Sequence, residues 1–184
     1  MSPLSKLVRD SSARGAAAAI LLLLGTPATR ADSKSSAPRK TLNGLDAAAV
    51  ERAKAGASQR LQDPGCLRLL TDFKDRQGRT LAQNLETWGV AAAEYVRMIP
   101  FLDGSANPGC QRKEIDLQTT PGLPPVFVCP AGAGAPNSRF AAVQARSPAL
   151  AEAMVIHEML HTLGLGENPP SSLEITERVR ARCR

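Results

Sequence analysis

The sequence predicts a small α+β domain, in which a short, mostly antiparallel sheet packs with a long capped helix and a C-terminal helix. Three observations carry this. Ser147-Pro148 opens an apolar segment that Gly164 closes, the serine N-cap, first-turn proline and glycine stop of a helix. Lys113–Gln118 alternates polar and apolar residues and Val126–Cys129 is a short apolar run, with a Pro/Gly loop between them, which reads as a hairpin. Ile175, Val179 and Cys183 recur at i, i+4 and i+8 behind Ser171 and Glu174, the inward seam of a last helix over 172–183 that starts with a capping box.

The elements follow in order. Lys6, Arg9 and Arg14 precede an apolar run of nine residues, Ala16–Leu24, and then Gly25, Pro27 and small residues. This three-part pattern predicts a signal peptide over residues 1–31, cleaved after Ala31 or Ala28. The run is short for a bilayer span and no second long apolar segment follows, so no stable membrane insertion is expected after cleavage. Residues 32–44 read as a flexible leader, and 45–184 as one domain. A helix is expected over Asp46–Leu61 with Asp46 as N-cap, ended by Asp63-Pro64-Gly65. Leu67–Phe73 reads as a strand and Asp75–Gly78 as a turn. Thr80 caps a short helix over Leu81–Trp88, with Leu81, Leu85 and Trp88 on one side and Trp88 in the core. Residues 90–97 read equally as helix or as the approach to a strand. Met98–Leu102 looks extended before a turn at Asp103-Gly104. Residues 130–138 form a glycine-containing loop without the Lys-Ser/Thr of a phosphate-binding loop.

Composition narrows the function. The net charge of +6 is split evenly. Residues 1–31 carry a net +3, and the remainder has 19 basic against 16 acidic residues. There is no dense basic patch interleaved with aromatics, so nucleic-acid binding is not expected. The four cysteines, Cys66, Cys110, Cys129 and Cys183, form no Cys-x-x-Cys pair, which argues against a zinc ribbon. An even number in an exported chain, periplasmic or extracellular, predicts two disulfides. Cys110–Cys129 is favoured because the two flank the hairpin centred near Pro121-Gly122. That leaves Cys66–Cys183, with Cys129–Cys183 as the main competing pairing.

The chemistry lies in the helix over 148–163. His157-Glu158-Met159-Leu160-His161 contains the only two histidines of the chain. Residues four apart on a helix sit one turn above each other, so both imidazoles face one point, where they can hold a Zn²⁺ at about 2 Å. Glu158, in the same turn, reaches a water on that ion, whose pKa zinc lowers toward about 7, and serves as the base that takes its proton. No Gly-x-Ser-x-Gly elbow exists, and both histidines are committed to the zinc motif, which disfavours a serine or cysteine triad. Tyr95, the sole tyrosine, is a candidate oxyanion stabiliser, although a lone tyrosine ordinarily packs. Asp72, Asp75 and Asp103 flank turns, where Asp is expected.

From His157 the stretch reads His-Glu-Met-Leu-His-Thr-Leu-Gly-Leu-Gly-Glu-Asn-Pro-Pro-Ser-Ser. Over roughly the last forty residues it resembles the zincin metallopeptidases, in particular small exported bacterial ones with an extended His-Glu-x-x-His-x-x-Gly-x-x-Glu motif. The resemblance implies a zincin-like domain that hydrolyses peptide bonds in a peptide or protein substrate. In the metzincin branch the glycine breaks the helix and the chain delivers a third ligand at the last motif position. Gly164 and Glu167 occupy those positions here, a glutamate standing where that branch has histidine. No methionine follows Met159, so the Met-turn of that branch is absent. In the gluzincin branch the last ligand is a glutamate on a later helix, which leaves Glu174 and Glu177 as rivals. Metzincin-like clefts hold extended substrate on an edge strand, and Val126–Cys129 is the candidate for it. The alternative to an enzyme is a non-catalytic secreted zinc-binding module, or an inactive descendant of a peptidase.

Overall fold

The computed structural model describes residues 41–111, 114–132 and 135–184. The expected signal peptide over 1–31 and the leader up to residue 40 lie outside the described residues. In chain order the elements are α1 (Gly44–Arg60), α2 (Pro64–Asp72), α3 (Leu81–Glu86), α4 (Ala92–Met98), β1 (Phe101–Asp103), β2 (Leu117–Thr119), β3 (Val126–Val128), α5 (Arg139–Arg146), α6 (Pro148–Thr162) and α7 (Ser172–Arg182), with a 3₁₀ turn at Pro108–Gln111.

Helix α1 begins earlier than expected. Asn43, not Asp46, is its N-cap, and the Asn43 side chain accepts from the backbone N–H groups of Leu45 and Asp46. Asp46 is buried one turn further on, where it accepts from the Ser138 backbone N–H at 3.0 Å and from the Ser138 hydroxyl at 2.6 Å. Ser138 also caps α5 through Ala141, so Asp46 ties two helix starts together. Helix α5 was not anticipated; its only local start signal is that serine behind Pro136-Asn137.

Residues Leu67–Phe73, expected as a strand, belong mostly to helix α2. Asp63 accepts from the N–H groups of Gly65 and Cys66, and Pro64 occupies the first turn. Asp-Pro therefore starts a helix here as well as ending one. Cys66, Leu69 and Leu70 are the buried residues, spaced i, i+3, i+4 as a helix face requires. Thr80 and Gln83 form the complete capping box of α3, with Leu81 and Leu85 buried, but Trp88 is 45% exposed and is not a core residue. The ambiguous stretch 90–97 is largely helix α4.

The sheet is mixed, in the order β1-β3-β2. β2 and β3 form an antiparallel pair, with Gln118 opposite Phe127, but the first strand covers Leu117–Thr119 and not the expected Lys113–Gln118: residues 114–116 precede it as turn and bend, and Lys113 lies outside the described residues. β1 joins β3 in parallel, with Leu102 opposite Phe127. β3 is therefore the central strand, hydrogen-bonded on both sides, and β2 is an edge.

Helix α6 forms the centre of the core. It packs against α1, α5, α7 and β2. Val155, Ile156, Met159 and Leu160 are fully buried, each worth about 1.5–3 kcal/mol relative to exposure. Both favoured disulfide pairings are present. Cys66–Cys183 joins α2 to the end of α7, and Cys110–Cys129 joins the 3₁₀ turn to the end of β3. Ile175, Val179 and Cys183 all point inward. The capping box of α7 forms by half: Ser171 accepts from Glu174 N–H, while the Glu174 carboxylate pairs with Arg178. Among the described residues no helix is long and apolar enough to cross a membrane.

Candidate metal centre

The site is built on the last two turns of α6 and the chain reversal after it. Gly164 has φ +106°, a conformation L-residues with side chains rarely adopt. Its N–H bonds His161 C=O at 2.8 Å, and Leu165 N–H bonds Leu160 C=O at 3.1 Å. These are the two bonds of a Schellman motif. Leu165 is buried as its apolar clasp. The reversal turns the Leu165 carbonyl back onto the helix, where it accepts from His161 Nδ1 at 2.7 Å. Two residues later the chain presents Glu167.

The His157 and His161 Nε2 atoms lie 3.0 Å apart, and Glu167 Oε1 is 3.3 Å from His161 Nε2 and 3.9 Å from His157 Nε2. A tetrahedral ion with bonds of about 2.0–2.1 Å holds neighbouring ligand atoms about 3.3 Å apart. The three groups can hold a metal ion, with adjustments of a few tenths of an ångström. Both imidazoles are buried and the Glu167 carboxylate is 41% exposed, so the site is closed on the helix side and open toward Glu167.

Their hydrogen bonds suit ligation. A carbonyl only accepts, so His161 carries its proton on Nδ1 and presents the Nε2 lone pair to the centre. His157 Nδ1 meets the Thr176 hydroxyl of α7 at 2.9 Å. A hydroxyl serves as donor or acceptor, so it accommodates the Nδ1–H form that frees Nε2. Burial, followed by the neighbouring His161, lowers the His157 pKa to about 3, which keeps this imidazole neutral and its lone pair available.

Glu158 follows His157 and is 9% exposed. Burial raises its pKa above the ordinary carboxylate range; the Thr119 hydroxyl and His161 favour the charged form, and Glu167 opposes it. Glu158 Oε2 has no hydrogen-bond partner. A buried, unsatisfied carboxyl oxygen costs stability and is typical of functional sites.

These groups line a cleft of about 630 Å³ together with Leu117, Gln118 and Thr119 of β2. The free edge beside the cleft is therefore β2. Val126–Cys129, the expected substrate strand, is excluded from that position because β3 has partners on both sides. Glu174 is engaged by Arg178 and Glu177 is exposed on α7; neither joins the imidazole pair. Tyr95 is 2% exposed; its hydroxyl donates to Thr162 Oγ1 at 3.1 Å and its ring lies against Trp88. It is a packing residue and does not line the cleft.

Sequence reasoning missed Thr176, Thr119, Asp75 and Asn84. Asn84 Nδ2 donates to Asp75 Oδ2 at 2.9 Å and to Leu163 C=O at 2.8 Å, which holds the end of α6 just before the reversal. Asp75 also accepts from the N–H groups of Gln77 and Arg79 and from Arg79 Nε. Asp75 is a turn residue, as expected, accepting from Gln77 N–H; its reach to Asn84 crosses elements and leaves no local signature. Compared with known protein families, curated proteins and solved structures, the chain has no significant match.

Proposed function

We propose that this chain is an exported zinc-dependent peptidase, with His157, His161 and Glu167 as metal ligands and Glu158 as the proton-transferring base. The observation that carries the reading is the buried Glu158 carboxyl, whose Oε2 has no hydrogen-bond partner, beside three converging ligand groups in an open cleft. Two imidazoles and a carboxylate with one open side match the His₂Glu set of catalytic zinc sites. The set also suits iron(II), but an adjacent carboxyl placed for proton transfer favours hydrolysis.

A zinc ion held there supplies Lewis acidity toward a substrate carbonyl and a water. Glu158 accepts the proton of the attacking water and returns it to the leaving amine nitrogen. Its raised pKa brings it nearer the working range of a group that must both take and give a proton. Thr176 and the Leu165 carbonyl hold the imidazole rings in orientation. The edge of β2 that faces away from β3 offers backbone groups for an extended peptide. Two disulfides suit an oxidising compartment outside the cytoplasm.

The test is metal analysis together with peptide-library cleavage, for wild type and Glu158→Gln. The expected result is one zinc per chain in both proteins and cleavage only by the wild type. Stoichiometric zinc with no cleavage by either would establish the non-catalytic zinc-binding reading instead. Absence of bound metal at neutral pH would overturn both.

A further inference from the structure

A second cleft of about 540 Å³ adjoins the metal cleft and shares Arg76 and Pro121 with it. Its lining includes Trp88, which is exposed without being core. Arg76 belongs to the turn 75–78. Among the described residues it makes no hydrogen bond or ion pair, whereas its neighbour Arg79 is held by Asp75. Its guanidinium lies against the Gly166 backbone: a Cβ at Gly166 would come within 3.3 Å of Arg76 Nε. The absent side chain at Gly166 thus leaves room for an arginine one residue before Glu167.

The charges around it have a definite pattern. Among the described residues lining the metal cleft, Glu114, Asp116, Glu158 and Glu167 are acidic and Arg76 is the sole lysine or arginine. Asp116 is neutralised by Arg139. Apart from a metal ion held by His157, His161 and Glu167, Arg76 is the one group lining this cleft that attracts a carboxylate on an incoming peptide. An unpaired guanidinium offers a planar fork that binds carboxylate in bidentate fashion. A neutral peptide end gains nothing there.

Building on the peptidase reading, we propose that Arg76 anchors a substrate carboxylate, so that the preferred substrate carries a C-terminal α-carboxylate or an acidic side chain within one or two residues of the scissile bond. The residue bearing that carboxylate rests in the second cleft beside Trp88. Binding there sets the register of the peptide, because the position of Arg76 beside Gly166 and Glu167 fixes which bond reaches the metal centre.

The test uses the full zinc-loaded chain and four peptides of one sequence: a free C-terminal acid, its amide, and amides with Glu or Gln at the penultimate position. Cleavage is read as kcat/KM for wild type, Arg76→Ala and Arg76→Lys. Binding is read separately from the fluorescence of Trp88, the only tryptophan of the chain. The wild type is expected to prefer an acid over its neutral partner by about tenfold or more, the scale of one charge-assisted interaction. That ratio falls to within about twofold in Arg76→Ala and is partly restored in Arg76→Lys. The acid/amide pair and the Glu/Gln pair show which carboxylate is read. Equal cleavage of charged and neutral peptides by the wild type, or a preference that survives Arg76→Ala, overturns the inference and leaves the peptidase reading standing. If neither these peptides nor the peptide library are cleaved, the peptidase reading fails and fluorescence decides the anchor. Saturation at about tenfold lower concentration of the charged peptide, lost in Arg76→Ala, supports it. An equal or absent response overturns it.

Discussion

Gly164→Ala tests the reversal on which the whole site depends. The residue sits at φ +106°, and an L-residue held in such a region costs about 1–3 kcal/mol. The added methyl would also meet Asp75 Cβ at 3.2 Å and Asn84 Nδ2 at 3.3 Å. Neither is the free end of a flexible side chain. Asp75 is fixed by the N–H groups of Gln77 and Arg79, by Arg79 Nε and by Asn84, and Asn84 also holds Leu163. Relief by displacing Asn84 gives up a buried hydrogen bond, about 1 kcal/mol. The total is about 2–4 kcal/mol, or roughly 5–12 °C in Tm for a domain of this size, with the disulfides kept intact. Metal affinity reports the same change independently. Shifting the Leu165 carbonyl removes the acceptor of His161 Nδ1, and loss of such an outer partner costs about 10–100-fold in affinity. Urea and thermal unfolding of the metal-free proteins measure the first effect, and competitive zinc titration the second. A variant within about 0.5 kcal/mol of wild type, with unchanged zinc affinity, would refute the role assigned to the Schellman reversal.

Three further outcomes are expected. Glu167→Ala should weaken zinc binding by more than the about 10–100-fold typical of an outer partner, whereas Glu174→Ala and Glu177→Ala should leave it unchanged; competitive titration with a chromophoric chelator separates the three. Hydrogen bonds from Asn84, Arg79 and Gln77 outweigh burial and hold the Asp75 carboxyl below its ordinary pKa, so its stabilising contribution is present above the unfolded value of about 3.9 and is lost as pH falls through the folded one. The gap in urea midpoint between wild type and Asp75→Asn should therefore be full at neutral pH and close below about pH 4, and a gap independent of pH would contradict this. The Cys66–Cys183 bond spans 117 residues and Cys110–Cys129 spans 19, so loop entropy predicts a cost of about 4–5 kcal/mol for removing the first and about 3 kcal/mol for the second. Only the first removal loosens α7 and with it Thr176, so paired Cys→Ser variants should differ in zinc affinity as well as in unfolding midpoint.

Much of the candidate site was legible in the sequence because its rules are local. Two histidines four apart share a helix face whatever surrounds them, and Gly164 ends the helix through backbone geometry alone. Ser171 and Thr80 were readable as caps because a cap is a contact across three residues. The cysteine pairing was legible in part, since the hairpin brings Cys110 and Cys129 together and leaves one pair over. Leu67–Phe73 misled because a short apolar run has no decisive period, and its buried set at Cys66, Leu69 and Leu70 is defined by neighbours distant in sequence. Trp88 misled because α3 ends at Glu86, two residues before it, and the tryptophan lines the second cleft instead of continuing the helix's buried side.

The sequence by itself determined the helix that presents His157, Glu158 and His161, the break after it, and a donor set suited to a metal. Only the tertiary structure decided which glutamate meets the imidazoles, that β2 and not β3 borders the cleft, and that Asn84, Asp75 and Thr176 hold the site in place. The division has one physical cause. Helix phase, capping and glycine conformation act within a turn or two of the backbone, whereas strand order and side-chain contacts between elements arise only when the whole core packs.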